Sequence, residues 1–346
     1  MTSHTETEIL SQPDVWRQTI DALDPTRFTE VFGDPSTDVL VTGCGSTHYL
    51  AMSAAALLRD AGVRAWALPA SELIAPASPA IYSPETTVLL AISRSGTTTE
   101  TVLAVEHFRR LGGKAVALIT CYPDTPLAGV CDVVWAAPDA AEQSVAQTRS
   151  FSSMLVIVSA IAGALRGADL SALYRLPASA ELILAKSREP MASLAADRDL
   201  ESFFFLGSGA LYGVAAEGML KLKEMSLTSS EAYHTLEFRH GPMSMCDSSR
   251  AVLALVSPER ADLEEAVLRD IAPFGAQIVT IGVEGLHLIP AELPSWASPV
   301  LYLLPLQLLA LERAIDRELD PDQPRHLTAV IHLDASSDAS AIEEEA

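Results

Sequence analysis

Residues 88–99 read VLLAISRSGTTT, and this stretch decides the fold class. An apolar run from Val88 to Ile92 leads directly into a turn rich in hydroxyl groups. The run is apolar at every position rather than at alternate ones, which predicts a parallel strand buried on both faces. Strands of this kind alternate along the chain with segments of helical spacing, which predicts a doubly wound α/β fold. The other apolar runs are 39–41, 115–119, 203–206, 251–256 and 277–281.

The chain also repeats itself weakly. TGCGS, whose first glycine is Gly43, matches LGSGA, whose first glycine is Gly207. VLLAIS from Val88 and VLALVS from Val252 match at the same separation along the chain. Further on, KAVALI and QIVTIG match at a separation that is shorter by a single position. Matches of three segments at nearly one offset predict two copies of one α/β unit, joined by a helical stretch.

This organisation predicts five segments along the chain. The last of them is small, polar and acidic, a composition typical of disorder. We expect an N-terminal helical segment (1–35), a first unit (36–165), a helical connector (166–198), a second unit with its C-terminal tail (199–333) and a disordered acidic tail (334–346).

Composition excludes several classes of protein. Among 346 residues, 23 Lys and Arg stand against 45 Asp and Glu, a net charge of −22. Such a surface repels phosphate backbones and anionic lipids, so we expect neither nucleic acid nor membrane partners. The four scattered cysteines form no C-x-x-C pair, which argues against a zinc site or a disulfide framework. No apolar run reaches the roughly 18 residues of a membrane span. With a polar N-terminus, the chain is expected to be cytoplasmic.

Two turns that follow predicted strands carry groups suited to an anion. The first turn, Ser93 to Thr98, carries several hydroxyl groups and one cation and precedes a predicted helix. The other, Gly43 to Thr47, also opens a helix. Free backbone N–H groups and the positive end of the helix dipole favour an anion there. An ordinary helix cap explains one such turn equally well, but two on one sheet favour a phosphate cradle. Neither turn is a P-loop or a complete G-x-G-x-x-G.

The predicted second unit carries titratable groups. Glu217, Lys221 and Glu224 fall on one face of a predicted helix. A salt-bridged solvent face is the ordinary explanation, although the chain has only four lysines and two of them lie in this turn. The segment 231–242 ends in a Gly-Pro turn and is predicted to be a loop. Its His240 is a candidate general acid or base, or a histidine that only hydrogen-bonds the loop. The spacing predicts no metal site, and we expect no cofactor.

These motifs resemble the sugar isomerase (SIS) family, especially the isomerase half of glucosamine-6-phosphate synthase and the stand-alone amino-sugar-phosphate isomerases and deaminases. The resemblance implies α/β architecture with two tandem flavodoxin-like units, each a parallel sheet with helices on both faces. It runs nearly end to end and rests on EILSQPDVWRQTI (8–20), GCGST (43–47), ISRSGTTTET (92–101), EQSVAQTRSF (142–151), EGMLKLKEMS through HGP (217–242), and PLQLLA through DPDQPRHLT (305–328).

The resemblance also implies roles for individual residues. It implies a homodimer with a shared active site, in which Glu224 moves a proton between C1 and C2 of a hexose 6-phosphate, Lys221 stands beside it, and His240 opens the sugar ring from across the interface. The implied binding residues are Ser93, Ser95 and Thr98 with Arg94 for the phosphate, Ser46 and Thr47 on the sugar side, and Val145 and Gln147 in the 142–151 turn.

Three departures from the synthases shape the expected function. Nothing resembles a glutaminase domain, Ala329 stands where a Schiff-base lysine would fall, and Arg94 replaces an amide. We therefore expect an isomerase or deaminase rather than a synthase. The first substrate is glucosamine 6-phosphate, converted to a ketose 6-phosphate and ammonia. The alternatives are a plain aldose–ketose isomerase, a fructosamine-6-phosphate deglycase and a non-catalytic sugar-phosphate sensor.

Overall fold

The computed structural model describes residues 3–74, 81–285, 287–331 and 333. The tail predicted to be disordered, 334–346, lies outside the described residues. The chain begins with three short helices, of which the second and third pack on the first unit: α1 (His4–Leu10), α2 (Gln12–Asp21) and α3 (Thr26–Phe32). Trp16 of α2 is fully buried and donates its indole N–H to Ser152 Oγ at 2.9 Å. This contact fixes the N-terminal helices to the helix that ends the first unit.

Two parallel sheets form the body of the protein. The first unit comprises β1 (Asp38–Gly43), α4 (Ser46–Asp60), β2 (Arg64–Pro69), β3 (Thr87–Ile92), α5 (Thr99–Arg110), β4 (Ala115–Thr120), α6 (Pro126–Gly129), β5 (Val133–Ala136) and α7 (Arg149–Leu165). After α8 (Leu176–Ala196), the second unit comprises β6 (Ser202–Gly207), α9 (Ala210–Ser226), β7 (Ser229–His234), β8 (Arg250–Leu255), α10 (Ala261–Ile271), β9 (Gln277–Gly282), β10 (His287–Leu288) and α11 (Pro299–Asp316).

The two sheets share one topology. Their strand orders are β2-β1-β3-β4-β5 and β7-β6-β8-β9-β10, with every pairing parallel. This is the flavodoxin-like order. Successive strand residues face different apolar clusters: Val39 and Val41 pack in the central cluster, whereas Leu40 packs with Phe108 of α5. Each sheet therefore has helices on both faces, and the predicted fold class is confirmed.

Edge strands are where the sequence prediction is wrong. Residues 229–234 form β7, although the segment from 231 was predicted to be a loop. The strand reads SSEAYH, and it has a neighbour, β6, on one side only. A strand at a sheet edge needs no continuous apolar run, so it lacks the signal that revealed the central strands. The edge strands β2, β5 and β10 were also missed, although β5 reads VVWA and β2 contains the apolar run AWAL.

The repeat is present in the structure, but its register differs from the sequence match. Asp38 of β1 pairs with Thr87, and Ser202, at the equivalent position of β6, pairs with Arg250. Thr87 therefore corresponds to Arg250, whereas the match of VLLAIS with VLALVS sets Thr87 against Ala251. The next strand of each unit shows the same shift by a single position. An all-apolar strand contains no marker of register, so the pattern alone could not fix it.

The corrected register changes which residues correspond after the second strand of each repeat. Ser93 donates its backbone N–H to the Ile119 carbonyl, and Val256 donates equivalently to the Ile281 carbonyl. The second unit therefore has Val256, not a serine, at the position of Ser93.

Helices α4 and α9 hold the two units together at a close crossing. Gly213 of α9 lies against α4, where a Cβ would clash with Ser53 Oγ and with the Tyr49 carbonyl oxygen. Ser53 Oγ donates to the Ala210 carbonyl at 2.7 Å, which fixes the crossing point. The two helices run antiparallel at this crossing, because Ser53 of α4 contacts Ala210 at the start of α9, whereas Ser46 at the start of α4 contacts Lys221 in the last part of α9. The crossing therefore places Lys221 beside the β1–α4 turn.

We expect Gly213→Ala to lower the free energy of unfolding by about 1–3 kcal/mol, because the added methyl group must displace α4 backbone. Urea denaturation followed by circular dichroism measures the change. Gly129→Ala is the matched control, since nothing lies within 4 Å of its Cβ position. The control should stay within about 0.5 kcal/mol of wild type. Equal effects at the two glycines would contradict the close crossing.

Candidate active site

The turn between β1 and α4 is built by two glycines and a threonine. A Cβ on Gly43 would lie 2.6 Å from Thr47 Oγ1, and Gly45 has φ +55°. Thr47 Oγ1 accepts the Cys44 N–H and donates to the Cys44 carbonyl, both at 2.9 Å. The Thr47 hydroxyl therefore holds the turn itself, and Ser46 is the residue of this turn whose hydroxyl faces the second unit.

The turn after β3 presents hydroxyls at the start of α5. Ser93 Oγ accepts the Gly96 N–H at 3.1 Å, and Ser95 Oγ accepts the Thr97 N–H at 3.2 Å. A hydroxyl that accepts from the backbone still has its own proton to donate to an anion. Thr98 is the N-cap of α5, and its side chain makes no capping hydrogen bond. These donors surround the positive end of the helix dipole, an arrangement suited to a phosphate group.

Arg94 does not point to solvent. Its side chain is 8% exposed and pairs at 3.2 Å with the Glu142 carboxylate, which is fully buried. The guanidinium also donates to the carbonyls of Val145 (3.1 Å) and Ala329 (2.8 Å). It lies at the wall of a cavity of about 340 Å³ that Ser95 also lines. The expected charge contact from Arg94 to a phosphate thus competes with three protein acceptors.

Hydrogen bonds to a buried carboxylate hold the 142–151 turn in place. Glu142 accepts the N–H groups of Thr148 (2.6 Å) and Ser150 (3.1 Å). Val145 N–H donates to the Asp322 carbonyl at 3.0 Å, and its own carbonyl accepts from Arg94. The backbone of Val145, expected to contact substrate, is therefore engaged within the protein.

The side chain of Gln147 in this turn has a polar group left for a ligand. Its side chain is partly exposed. Its amide oxygen has one long contact, 3.5 Å, with Ser150 Oγ.

A buried ammonium group joins the two units. Lys221 Nζ donates to Ser46 Oγ at 3.3 Å across the α4–α9 crossing, and it pairs with Glu217 Oε1 at 3.3 Å and with Glu224 Oε2. The Lys221 side chain is 1% exposed and that of Glu217 is fully buried. The face of α9 that carries these groups is therefore not a solvent face, which was the ordinary explanation of their spacing.

Burial separates the roles of the two carboxylates. It raises the pKa of Glu217 to about 8, against the opposing charge of Lys221. Burial alone would lower the pKa of Lys221, but the nearby Glu217 and Glu224 outweigh it and raise that pKa. The Glu224 side chain is 18% exposed, so it is the carboxylate of the pair that a ligand can reach.

His240 lies apart from this cluster within the chain. It follows β7 at the edge of the second sheet, its side chain is exposed, and its backbone N–H donates to the Glu237 carbonyl. Among the residues that the structure describes, no hydrogen bond or ion pair links it to Lys221 or Glu224. Of the predicted site residues, the fold thus brings Ser46, Lys221 and Glu224 into contact and leaves His240 outside.

Two neighbours of the site escaped the sequence prediction. Glu142 is the buried partner of Arg94, and it stood unassigned within the quoted EQSVAQTRSF motif. Tyr49 lies one helical turn after Ser46, and its pKa is raised by burial and then by the charges of Glu217 and Glu224. Spacing along α4 could have indicated Tyr49, because residues i and i+3 share a helix face.

The described part of the chain contains no cluster of His, Cys, Asp and Glu side chains that could hold a metal ion. None of its helices combines the length and apolar character that crossing a membrane requires.

Comparison with known proteins identifies the family. The SIS domain model matches residues 35–164 and 198–285, more than half of the chain. The chain belongs to the SIS domain family. Among solved structures, this SIS protein resembles glucosamine-6-phosphate deaminase from Thermotoga maritima, with 28% identity, a TM-score of 0.85, and coverage of 96% of this chain and 100% of that one.

Other proteins similar to this SIS protein are named for different activities. Glutamine–fructose-6-phosphate aminotransferase (isomerizing) from Legionella pneumophila strain Lens is 30% identical over 316 residues, which cover 86% of this chain and 51% of that protein. The chain thus spans about half the length of that relative. Tagatose-6-phosphate ketose/aldose isomerase from Escherichia coli shares the fold, with a TM-score of 0.83, 21% identity, and coverage of 96% and 97% of the two chains.

The Glu217 carboxyl predicts a pH-dependent stability. Its folded pKa, about 8, lies above its ordinary value of 4.5, so between these values the native state holds a proton that the unfolded chain has released. Stability due to this group is therefore greatest below pH 4.5 and falls as pH rises toward 8. Relative to Glu217→Gln, wild type should lose up to about 1.4 kcal/mol per pH unit in this window.

Urea denaturation of both proteins from pH 5 to pH 8 measures that difference in slope. Glu106→Gln removes an exposed carboxylate from α5 and is the control, expected to leave the slope unchanged. Parallel curves for wild type and Glu217→Gln would show that this carboxyl is ionised throughout the window.

Proposed function

We propose that this SIS protein converts an amino-hexose 6-phosphate, first of all glucosamine 6-phosphate, into the ketose 6-phosphate and ammonia. One observation carries the proposal: the buried Lys221 ammonium holds the partly exposed Glu224 carboxylate beside Ser46 of the first unit. A proton-transfer group is thereby fixed to the unit that also carries the hydroxyl-rich turn. The likeness to the Thermotoga maritima deaminase supports the same substrate class.

Phosphate recognition in this proposal uses neutral donors. Ser93, Ser95 and Thr98 offer hydroxyls at the start of α5, and the helix dipole supplies positive potential. The second unit is not equivalent, because Val256 replaces Ser93 at its matching position. We therefore assign the phosphate to the first unit and proton transfer to the second. Binding energy from the phosphate, remote from the reacting carbons, positions C1 and C2.

The reaction follows from the groups available. After ring opening, Glu224 takes the proton from C2 of the amino aldehyde and returns it to C1, while the C1 oxygen gains a proton and the C2 amine loses one, which gives a hydroxyl group at C1 and an imine at C2. Water then hydrolyses the imine, so that one water is consumed and one ammonia released. Lys221 is buried behind Glu224, and its positive charge favours the negative charge that develops at the C1 oxygen without direct contact with the substrate. Glu217 reaches no ligand, and its carboxyl group, 3.3 Å from Lys221 Nζ, helps to hold the ammonium group in place. Ala329 offers no amine, so no covalent imine with the substrate forms at that position.

Ring opening is assigned to His240 of a second copy in a homodimer. A neutral imidazole can accept the anomeric hydroxyl proton, and its protonated form can donate to the ring oxygen. Within one chain this side chain is exposed, and Leu236 and Met245 nearby are also exposed apolar residues. An interface over this surface would cover them and deliver His240 to the partner's site.

The first test is turnover of Glu224→Gln. We expect ammonia release from glucosamine 6-phosphate to fall by about 10²–10⁴-fold, because amide nitrogen and oxygen cannot serve as the proton carrier. Ammonia and ketose 6-phosphate are both measured. Glu231→Gln, an exposed carboxylate on β7, is the control and should retain wild-type rates. Unchanged turnover in Glu224→Gln would remove this residue from the mechanism.

A small panel of substrates separates the alternatives. Ketose formation from aldose 6-phosphates without ammonia identifies a plain isomerase. Preference for fructosamine 6-phosphate identifies a deglycase. Binding of hexose phosphates without turnover of any of them identifies a sensor and overturns the proposal.

Mixing two inactive variants tests the shared site. In a mixed dimer of Glu224→Gln and His240→Ala, one site combines an intact Glu224 with an intact His240 of the other copy. Random exchange makes half of the dimers mixed, so about a quarter of wild-type activity should return. Each variant incubated alone is the control. Absence of any recovery, with exchange verified by mass spectrometry of labelled chains, would place His240 in its own subunit's site or outside catalysis.

A further inference from the structure

Arg94 connects three separate segments of the chain. Its backbone lies in the hydroxyl-rich turn after β3, between Ser93 and Ser95. Its guanidinium reaches Glu142 and the Val145 carbonyl in the 142–151 turn, and the Ala329 carbonyl in the C-terminal segment (327–331). These partners lie 48, 51 and 235 residues away in sequence. A single side chain thus fixes the walls around the proposed phosphate site.

The charge of Arg94 is already neutralised. The Glu142 side chain is fully buried and lies 3.2 Å from the guanidinium, so the pair carries no net charge toward the cavity. The carboxylate also accepts two backbone N–H groups, from Thr148 and Ser150, which hold it in place. Withdrawing Arg94 toward a phosphate would leave a buried carboxylate without its cation, a strongly unfavourable state.

Two further hydrogen bonds hold the C-terminal segment beside the turn after β3. Thr99, the first residue of α5, donates its N–H to the Ile331 carbonyl at 3.4 Å, and its hydroxyl accepts the Leu333 N–H at 3.1 Å. The contact of Arg94 with Ala329 lies shortly before these in the chain. The segment is therefore held along the α5 N-terminus, where the anion is expected, and Ala329 and Val330 line the 340 Å³ cavity beside Ser95.

We propose that Arg94 is a positioning residue that clamps the 142–151 turn and the C-terminal segment around the phosphate site, rather than a ligand of the phosphate. The recognition of phosphate then depends on the geometry that Arg94 maintains and not on its charge. This inference rests on the proposed function only for its sugar-phosphate measurements. The position of the C-terminal segment can be measured without any substrate.

The test compares two substitutions at Arg94. Lysine keeps the charge but cannot make the forked contacts, and glutamine loses the charge. Affinities for inorganic phosphate and for glucosamine 6-phosphate are measured by calorimetry. For a positioning residue we expect Arg94→Lys and Arg94→Gln to weaken binding similarly, by about 10-fold or more, as a misplaced site loses its alignment. Retained affinity in the lysine variant alone would identify Arg94 as a charge ligand.

A third variant gives a result of opposite sign for the two roles. Glu142→Gln releases Arg94 from its carboxylate. A phosphate-binding Arg94 would then bind the anion more tightly, whereas a positioning Arg94 loses its anchor, and we expect affinity to fall. Tighter phosphate binding by Glu142→Gln would overturn the inference. Arg109→Gln is the matched control, because Arg109 also pairs with a carboxylate, Asp132, and a carbonyl, Val130.

Two further readouts separate positioning from general destabilisation. Hydrogen–deuterium exchange of the C-terminal segment (327–331) should quicken in the Arg94 variants and not in Arg109→Gln, at matched thermal stability. In turnover, KM for the sugar phosphate should rise more than kcat falls. Unchanged exchange in this segment would overturn the clamp. A wild-type protein without any turnover would instead count against the proposed function and leave the exchange and phosphate measurements valid.

Discussion

A buried ammonium group with two carboxylates sets the arrangement of the whole molecule. Lys221 lies where α9 crosses α4, and its partners come from both units. A buried charge is tolerable only when it is paired and hydrogen-bonded, so the two units must meet with Ser46 and Glu224 at this point. The close crossing at Gly213 permits that meeting, because no side chain separates the helices.

The duplicated architecture divides one task between unequal copies. Both units share a strand order and a first glycine turn, with φ of +55° at Gly45 and +57° at Gly209. They differ in what the turns carry. Hydroxyls follow β3 in the first unit, whereas Val256 occupies the matching position in the second. The acidic groups of α9 then face the first unit's turn. The two units thus share one backbone fold, and individual side chains give them different chemistry.

An acidic protein that binds a phosphate must make its positive potential locally. The net charge of −22 opposes an anion at long range, although salt screens that repulsion beyond about 8 Å. The charged groups near the site are paired: Arg94 with Glu142, and Lys221 with Glu224. What remains for the phosphate are hydroxyls and the N-terminus of α5, which are directional and act at short range. Geometry, more than charge, therefore governs recognition in the proposed site.

The sequence by itself determined the central strands, the duplication and the residue types of the two turns. Continuous apolar runs reveal strands buried on both faces, and glycines after them mark the turns. The edge strand β7 and the register of the repeat were decided by tertiary structure, because a half-exposed strand has no apolar run and an all-apolar strand has no marker. Burial of Lys221, the partner of Arg94 and the isolation of His240 also came only from the fold. Each depends on which distant segments pack together, and spacing along one helix or one turn contains no information about that.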